Sequence, residues 1–299
     1  MTCVDWYVAV DVGNTAIKVV IADAVQNAPE QSDCNNSGYP QQTFLWEDPA
    51  WIDSLCGWVH HQTGGASSSW WIATVNHAAS GRLHQSVAAT FPDAAWMELC
   101  HQQVPMKVDV DFPDRLGIDR LVGAYAASLR FPVPVIVVDA GSAVTVDWVG
   151  NDPSGQRVFG GGAILPGIRL QHAALASGTE GLRRTLHDLQ DQDRQVESRP
   201  NTPFAPAKNT VDAIRLGVLA AVAGGIERLT DDYALRLNSD GDGEIRGQIA
   251  TPQLVLTGGD SPLISALLRV PHRCAANLVC LGLLDLARRQ CQKAGGRLK

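Results

Sequence analysis

Apolar positions in this chain fall into short β-branched runs broken by Gly and Asp, and two runs far apart read almost alike. Val8-Ala9-Val10-Asp11-Val12-Gly13-Asn14-Thr15 is matched by Ile136-Val137-Val138-Asp139-Ala140-Gly141-Ser142-Ala143. Each run ends in Asp-x-Gly and a small amide or hydroxyl residue, and each is followed by a second apolar run, Ala16–Ala22 and Val144–Val149. The pattern predicts a strand, a tight glycine turn and a returning strand, twice. A turn of this kind aims several backbone N–H groups at one point beside a carboxylate, which suits a phosphate and its cation. Two such turns predict a duplicated fold closing around one nucleotide.

Between and after the twin runs the periodicity changes. Residues 26–50 are polar, rich in Gln, Asn, Pro and Ser, and predict a loop or insertion. Residues 50–61 predict a short amphipathic helix, Ser68–Val75 a strand with a loop at Asn76-His77, and Gly81–Phe91 a helix. Val104–Phe112 alternates like a strand, and Pro113 then suits the opening of a helix that carries Leu116, Leu121, Val122, Tyr125 and Leu129. Pro132 and Pro134 end that helix and place a domain boundary there, giving units of residues 1–132 and 133–299. In the second unit Gly160-Gly161-Gly162 predicts a break and Ile164-Leu165-Pro166-Gly167 a turn. Leu170–Leu189 and Val211–Leu237 predict helices, separated by a polar loop at Asp191–Lys208. Ser239–Gly247 predicts a turn, Leu254–Asp260 a buried strand running into a glycine turn, and Leu278–Arg289 a closing helix. Strands alternating with helices predict the α/β class.

Composition narrows the reading. With 299 residues, 45% hydrophobic and 18% charged, the chain can build a packed core. A net charge of −7 excludes a general nucleic-acid binder, which carries a basic face. The seven cysteines form no Cys-x-x-Cys, so neither a disulfide framework nor a zinc site is supported, and reduced thiols in a cytoplasm are expected. No apolar run approaches a membrane span and no signal peptide is expected at the N-terminus.

Four places offer chemistry. In Asp11–Lys18, Gly13 permits the turn, Asn14 and Thr15 add donors, Lys18 reaches a phosphate and Asp11 is a Mg²⁺ ligand. A single such turn reads more readily as an ordinary hairpin; its second copy at Asp139–Ser142 reverses this and argues for a split nucleotide site. In Gly117-Ile118-Asp119-Arg120, Asp119 can take a hydroxyl proton and Arg120 can bind a carboxylate, although from spacing alone a helix-start acid beside a solvated surface arginine explains the pair better. Thr257-Gly258-Gly259 either lets a ligand approach closely or is a plain glycine turn. Thr210 reads as the N-cap of a helix. Trp70 and Trp71 read as packing residues.

Taken in order, these motifs resemble those of the type III pantothenate kinases, in the actin-like ATPase, sugar kinase and Hsp70 superfamily. The resemblance rests on Asp-x-Gly-Asn-Thr at 11–15, Gly-x-Asp-Arg at 117–120 and Val-Asp-x-Gly-Ser-Ala-x-Thr-x-Asp at 138–147. It extends to Gly-Gly-x-Ile-x-Pro-Gly at 161–167, Lys-Asn-Thr at 208–210, Thr-Gly-Gly at 257–259 and Leu278–Leu283. It implies two similar actin-like (ribonuclease H-like) domains with a nucleotide cleft between them. It also implies ATP-dependent phosphorylation of pantothenate to 4'-phosphopantothenate, the first step of coenzyme A biosynthesis.

By this resemblance Asp119 is the general base, and Gly117, Ile118, Asp119, Arg120 and Thr210 bind pantothenate. Asp11, Val12, Gly13, Asn14, Thr15, Ala16, Ile17, Lys18, Gly141 and Ser142 bind ATP. Asp139 serves a monovalent cation, K⁺ or NH₄⁺, beside the Mg²⁺ of Asp11. A cytoplasmic homodimer is implied, with Thr210 acting on the neighbouring subunit, and no nucleic-acid or membrane partner. The chain departs from the family pattern at Val110, where the family has Tyr, at Phe112-Pro113 in place of Asn-Pro, and at Ser142 in place of Thr. Two alternatives remain open from sequence: a non-catalytic nucleotide-binding regulator on the same fold, and a kinase for another small hydroxy acid or sugar.

Overall fold

The computed structural model describes residues 4–24, 36–179, 181–182, 205–239, 244–245, 248–249 and 251–295. The first twin run forms β1 (Trp6–Val12) and β2 (Ala16–Asp23), an antiparallel hairpin in which Asp11 lies opposite Lys18. β3 (Gln41–Leu45) extends the sheet from β2. β4 (Ser68–Thr74) and β5 (Ala95–Glu98) run parallel on the other side of β1, giving the order β3-β2-β1-β4-β5. Helices α1 (Trp51–Thr63) and α2 (His77–Thr90) precede and follow β4.

The second twin run repeats the plan. β7 (Val135–Ala140) and β8 (Ala143–Asn151) form the hairpin, β9 (Arg157–Pro166) extends it, and β12 (Gln253–Thr257) and β13 (Arg273–Cys274) lie beyond β7. Their order, β13-β12-β7-β8-β9, has the same connectivity as the first sheet, with the two-residue β6 (Lys107–Val108) added at the β9 edge. Helices α4 (Ile168–Gly178) and α5 (Thr210–Ser239) fall between β9 and β12, and α6 (Ser261–Ser265) between β12 and β13. A small separate ladder pairs β10 (Glu244–Ile245) with β11 (Gln248–Ile249). The chain is therefore α/β, built from one strand plan used twice.

The helices that end each half, α3 (Ile118–Arg130) and α7 (Leu278–Gly295), pack against each other and lie between the sheets. α7 packs on β1, β2 and β4 of the first sheet, and α3 packs on β7, β8 and β9 of the second as well as on β4. Their shared core holds Tyr7 and Ala9 from β1, Leu121, Val122 and Tyr125 from α3, Val135 and Val137 from β7, and Leu281 and Leu284 from α7. The alternate residues of the central strands point outward: Val8, Val10 and Val12 meet α1 and α2, while Ile136 and Val138 meet Val222 and Ile226 of α5. Burial on both faces explains the continuous apolar runs of β1 and β7. Each such side chain contributes about 1.5–3 kcal/mol on burial. Trp70 and Trp71 are buried, as packing residues should be.

Several boundaries differ from the sequence reading. Within 26–50, residues 36–50 carry β3; only Phe44 of that edge strand is buried, so its alternation is faint, and residues 26–35 lie outside the described residues. α2 starts at His77 rather than Gly81, because Asn76 caps it by accepting from Ala79 N at 3.2 Å. Pro113 opens a single 3₁₀ turn to Arg115, and α3 starts at Ile118 behind the N-cap Gly117. Leu129 is solvent-exposed. Gly160–Gly162 and Ile164–Pro166 lie within one strand, β9, but its pairing with β8 is irregular at the glycine run: Asp147 lies opposite Gly162 and Val149 opposite Phe159, with Gly161 at φ +89° between them. The Leu170–Leu189 helix corresponds to α4, which begins at Ile168 and ends at Gly178; residues 183–204, with most of the Asp191–Lys208 loop, lie outside the described residues. Strands β5 and β13 have no counterpart in the sequence pattern. Cys274 is disulfide-bonded, a pairing between positions that spacing rules do not detect, whereas Cys56, Cys100, Cys280 and Cys291 are free thiols. Among the described residues no helix is long and apolar enough to cross a membrane.

Candidate active site

The two hairpin turns face each other. In the first, Gly13 N donates to Ala16 O at 3.1 Å; in the second, Gly141 N donates to Ala143 O at 3.0 Å. Thr15 and Ser142, at the tips, share a side-chain hydrogen bond across the gap. Trp46 braces the first turn: its backbone N donates to Thr15 O at 3.2 Å and its Nε1 to Gly13 O at 3.2 Å.

Glycines supplied by the other motifs brace the second turn. A Cβ on Gly167 would meet the carbonyls of Gly141 and Ser142, and one on Gly162 would meet Val146 O and Asp147. Gly258 sits at φ +95° against Ala140 O and Asp139 Oδ1, where a side chain would be both strained and blocked. The Gly-Gly-x-Ile-x-Pro-Gly and Thr-Gly-Gly motifs are thus explained by the close approach of β9, α4 and β12 to one turn.

Between the hairpins lies a cleft of about 450 Å³. Asp11, Gly13, Asn14, Thr15, Ala16 and Lys18 line one wall, Asp139, Gly141 and Ser142 another, and Asp119 and Arg120 a third. Val12, Ile17 and Ile118 do not present side chains to the cleft; they are buried in the core, as the alternation of their strands and helix dictates. Gly117 is the N-cap of α3, where a Cβ would collide with the Asp119 carboxylate. Thr210 is exposed at the start of α5 and is not part of this wall. Nor is it the cap: Asn209 Oδ1 accepts from Asp212 N at 2.9 Å, so the N-cap lies one residue earlier. Thr43, Leu45, Val75, Ala143, Thr145, Arg169, Gly259 and Asp260 complete the lining; only Ala143 and Thr145, within the motif at 138–147, and Gly259, in the Thr-Gly-Gly turn, belong to sequence motifs.

Burial and like charge set the protonation of this cleft. Burial pushes Asp11 up to about 7, with Asp119 and Asp139 adding to the shift and Lys18 opposing it. Burial also raises Asp119, helped by Asp139 and opposed by the Arg120 backbone N–H and guanidinium. That N–H donates to Asp119 Oδ1 at 2.8 Å, fixing the carboxylate at the start of α3. Asp260 is raised by burial and by Asp139, against Arg169 and Lys18. Lys18 is pulled down by burial, but Asp139, Asp11, Cys280 and Asp260 together outweigh it and raise its pKa, so it stays charged.

Arg120 is not a loose surface charge. Its Nε donates to both Asp147 carboxylate oxygens, at 3.0 and 3.3 Å, and its Nη2 to Oδ1. Asp147 is only 3% exposed and also accepts from Thr145 Oγ1 at 3.1 Å. A guanidinium held along its Nε–Nη2 edge leaves Nη1 outside the pairing. The sequence signal for this anchor is the buried acid that closes the motif at 138–147.

Comparison with known proteins decides the family. The family model described as type III pantothenate kinase matches residues 7–232. The chain is 38% identical over 297 residues to the type III pantothenate kinase of Rhodopirellula baltica, covering 93% of this chain and 97% of that one. It is 32% identical to that of Cupriavidus pinatubonensis, covering 93% and 97%, and 31% identical to that of an Azoarcus species, covering 93% and 89%. The chain belongs to the type III pantothenate kinase family. As a member it is a kinase, a phosphotransferase to an alcohol, and the cleft between its hairpins has the polar lining that ATP requires. Among the described residues no three His, Cys, Asp or Glu side chains converge tightly enough to hold a metal unaided.

Proposed function

We propose that this chain transfers the γ-phosphoryl group of ATP to the hydroxyl of pantothenate, giving 4'-phosphopantothenate and ADP at the first step of coenzyme A biosynthesis. The observation that carries this reading is the juxtaposition of two phosphate-type turns with Asp119 in one cleft. Asp119 accepts the hydroxyl proton as the oxygen forms its bond to phosphorus and the bond to the ADP oxygen breaks. Burial raises its affinity for a proton above that of an ordinary carboxylate, which makes it a stronger base. Arg120, oriented by Asp147, receives the pantothenate carboxylate through its remaining N–H groups, with Gly117 and Ile118 contributing backbone at the start of α3. The turn backbone at Asn14, Thr15 and Ser142, with the hydroxyls of Thr15 and Ser142 and the ammonium of Lys18, holds the triphosphate, while the N–H groups of Gly13 and Gly141 close their own turns. Positioning and charge neutralisation supply most of the catalysis in such a transfer.

Asp11 would hold Mg²⁺ and Asp139 a monovalent cation, K⁺ or NH₄⁺. Asp11 is raised by burial first and by the neighbouring charges of Asp119 and Asp139 second, and a buried carboxylate among like charges suits a cation partner. When bound, those cations neutralise phosphate charge. We read the enzyme as a cytoplasmic homodimer. The exposed position of Thr210, away from its own cleft, fits a contribution to the neighbouring subunit's substrate. The regulator alternative is disfavoured, because Asp119 lines the cleft and Ser142 keeps a hydroxyl in it.

The test is ADP formation with and without pantothenate, in K⁺ and in a K⁺-free buffer, against a panel of hydroxy acids and sugars. Pantothenate-dependent, K⁺-stimulated ADP release supports the reading. ATP binding with no acceptor-dependent turnover overturns it.

A further inference from the structure

Three cationic side chains line the cleft: Lys18, Arg120 and Arg169. Two are already engaged. Lys18 lies opposite Asp11 in the β1–β2 ladder and answers the charges of Asp139, Asp11 and Asp260. Arg120 has Nε and Nη2 on Asp147. Arg169 differs: it is exposed, and among the described residues its guanidinium makes no ion pair or hydrogen bond. It acts only through space, on Asp260 across the cleft lining.

Its placement is not accidental. α4 is preceded by its N-cap Gly167, whose backbone N donates to Ser142 O at 3.1 Å and whose missing side chain lets the helix start press on the carbonyls of Gly141 and Ser142. Arg169 is the second residue of that helix. The second hairpin therefore fixes where α4 starts, and α4 fixes where Arg169 enters the cleft. The same cleft carries four carboxylates, Asp11, Asp119, Asp139 and Asp260. A triphosphate adds further negative charge, and an uncommitted guanidinium with paired donors is well matched to phosphate oxygens.

We propose that Arg169 is a phosphate-binding residue of this cleft, whose guanidinium bonds the triphosphate oxygens when ATP enters. The assignment rests on the reading of the cleft as an ATP site. It predicts that Arg169 acts on ATP and not on the acceptor.

The experiment is isothermal calorimetry of Mg²⁺-ATP with the intact protein, alongside KM for ATP and for the acceptor, on Arg169→Gln, Arg169→Lys and the control Arg228→Gln. Arg228 is an exposed arginine of α5 paired with Asp232, outside the cleft, so its loss reports the effect of net charge alone. Arg169→Gln should weaken ATP at least about tenfold, the size of a charged hydrogen bond. Arg169→Lys should recover part of the loss, and Arg228→Gln should bind like the parent. The acceptor KM at saturating ATP should not move, and the loss should shrink as salt rises. ATP affinity in Arg169→Gln equal to the parent, or equal losses in Arg169→Gln and Arg228→Gln, overturns the assignment while leaving the ATP reading intact. A parent protein that binds no ATP overturns the ATP reading itself.

Discussion

Thr15 and Ser142 stand 127 positions apart and share a hydrogen bond between their side-chain hydroxyls. Each sits at the tip of an Asp-x-Gly turn, so the contact brings the two copies of one strand plan together over a single cleft. The groups suited to phosphate chemistry are organised around that contact: Asp11 and Lys18 on one side, Asp139 on the other, and Asp119 at the start of α3.

Asp119 should behave as the base. Asp119→Asn should lower kcat by about 10²–10⁴, the usual worth of a positioned proton acceptor, while ATP affinity stays near that of the parent. Steady-state kinetics with separate ATP binding measurements check this. Equal losses in turnover and in ATP binding would assign Asp119 to nucleotide binding instead.

Asp147 should act through Arg120. Asp147→Asn leaves a nearly buried guanidinium short of its counter-charge, which costs about 3–5 kcal/mol where a buried pair is broken and is discounted here because Arg120 is 16% exposed. A lower unfolding midpoint is expected, together with a rise in acceptor KM larger than the fall in kcat. An unchanged acceptor KM in a destabilised variant would confine Asp147 to a structural role.

Stability of the nucleotide-free protein should fall as pH rises from about 4 to 7. In that window the folded chain still holds a proton on Asp11, raised to about 7, that the unfolded chain, with its ordinary 3.8, has released. Asp119, Asp147 and Asp260 are shifted in the same direction. Each tenfold gain in proton affinity is worth about 1.4 kcal/mol, so Asp11 contributes on the order of a few kcal/mol, lost by about pH 7. Denaturant midpoints between about pH 5 and 8 should decline, and Asp11→Asn should flatten the decline. A midpoint that rises with pH equally in both proteins would contradict this assignment. Turnover runs the other way: it should rise with pH as Asp119 loses its proton.

The crossing of α3 and α7 tolerates no added bulk. A Cβ on Gly282 would lie 2.7 Å from both Cγ1 and the carbonyl oxygen of Val122. Gly282→Ala should cost about 1–3 kcal/mol through overpacking, read as a lower thermal midpoint. Gly217→Ala, where nothing lies within 4 Å, is the matched control. Equal midpoints for the two would show that the crossing relaxes freely.

Much of this is legible in the chain. The twin runs at 8–15 and 136–143 announce both hairpins because a central strand buried on both faces must be apolar throughout. The glycines at 162, 167 and 258 are visible as turn formers, but their purpose is not, since each meets residues far along the chain. β3 is faint because an edge strand buries only Phe44, and β13 because two residues carry no periodicity. Asp147 is visible as the acid that closes the motif at 138–147, but its pairing with Arg120 and the cleft positions of Arg169 and Asp260 depend on how α3, β8, α4 and β12 converge, which no local pattern encodes. Thr210 reads as a cap from sequence, yet Asn209, one residue earlier, takes that role.

A structure of the protein with a non-hydrolysable ATP analogue, Mg²⁺ and pantothenate would decide between these possibilities at once. The triphosphate should lie between the Gly13 and Gly141 turns, with the pantothenate hydroxyl about 2.6–3.2 Å from a carboxylate oxygen of Asp119. A triphosphate bound elsewhere, or an acceptor hydroxyl out of reach of Asp119 in a closed complex, would contradict the proposed chemistry.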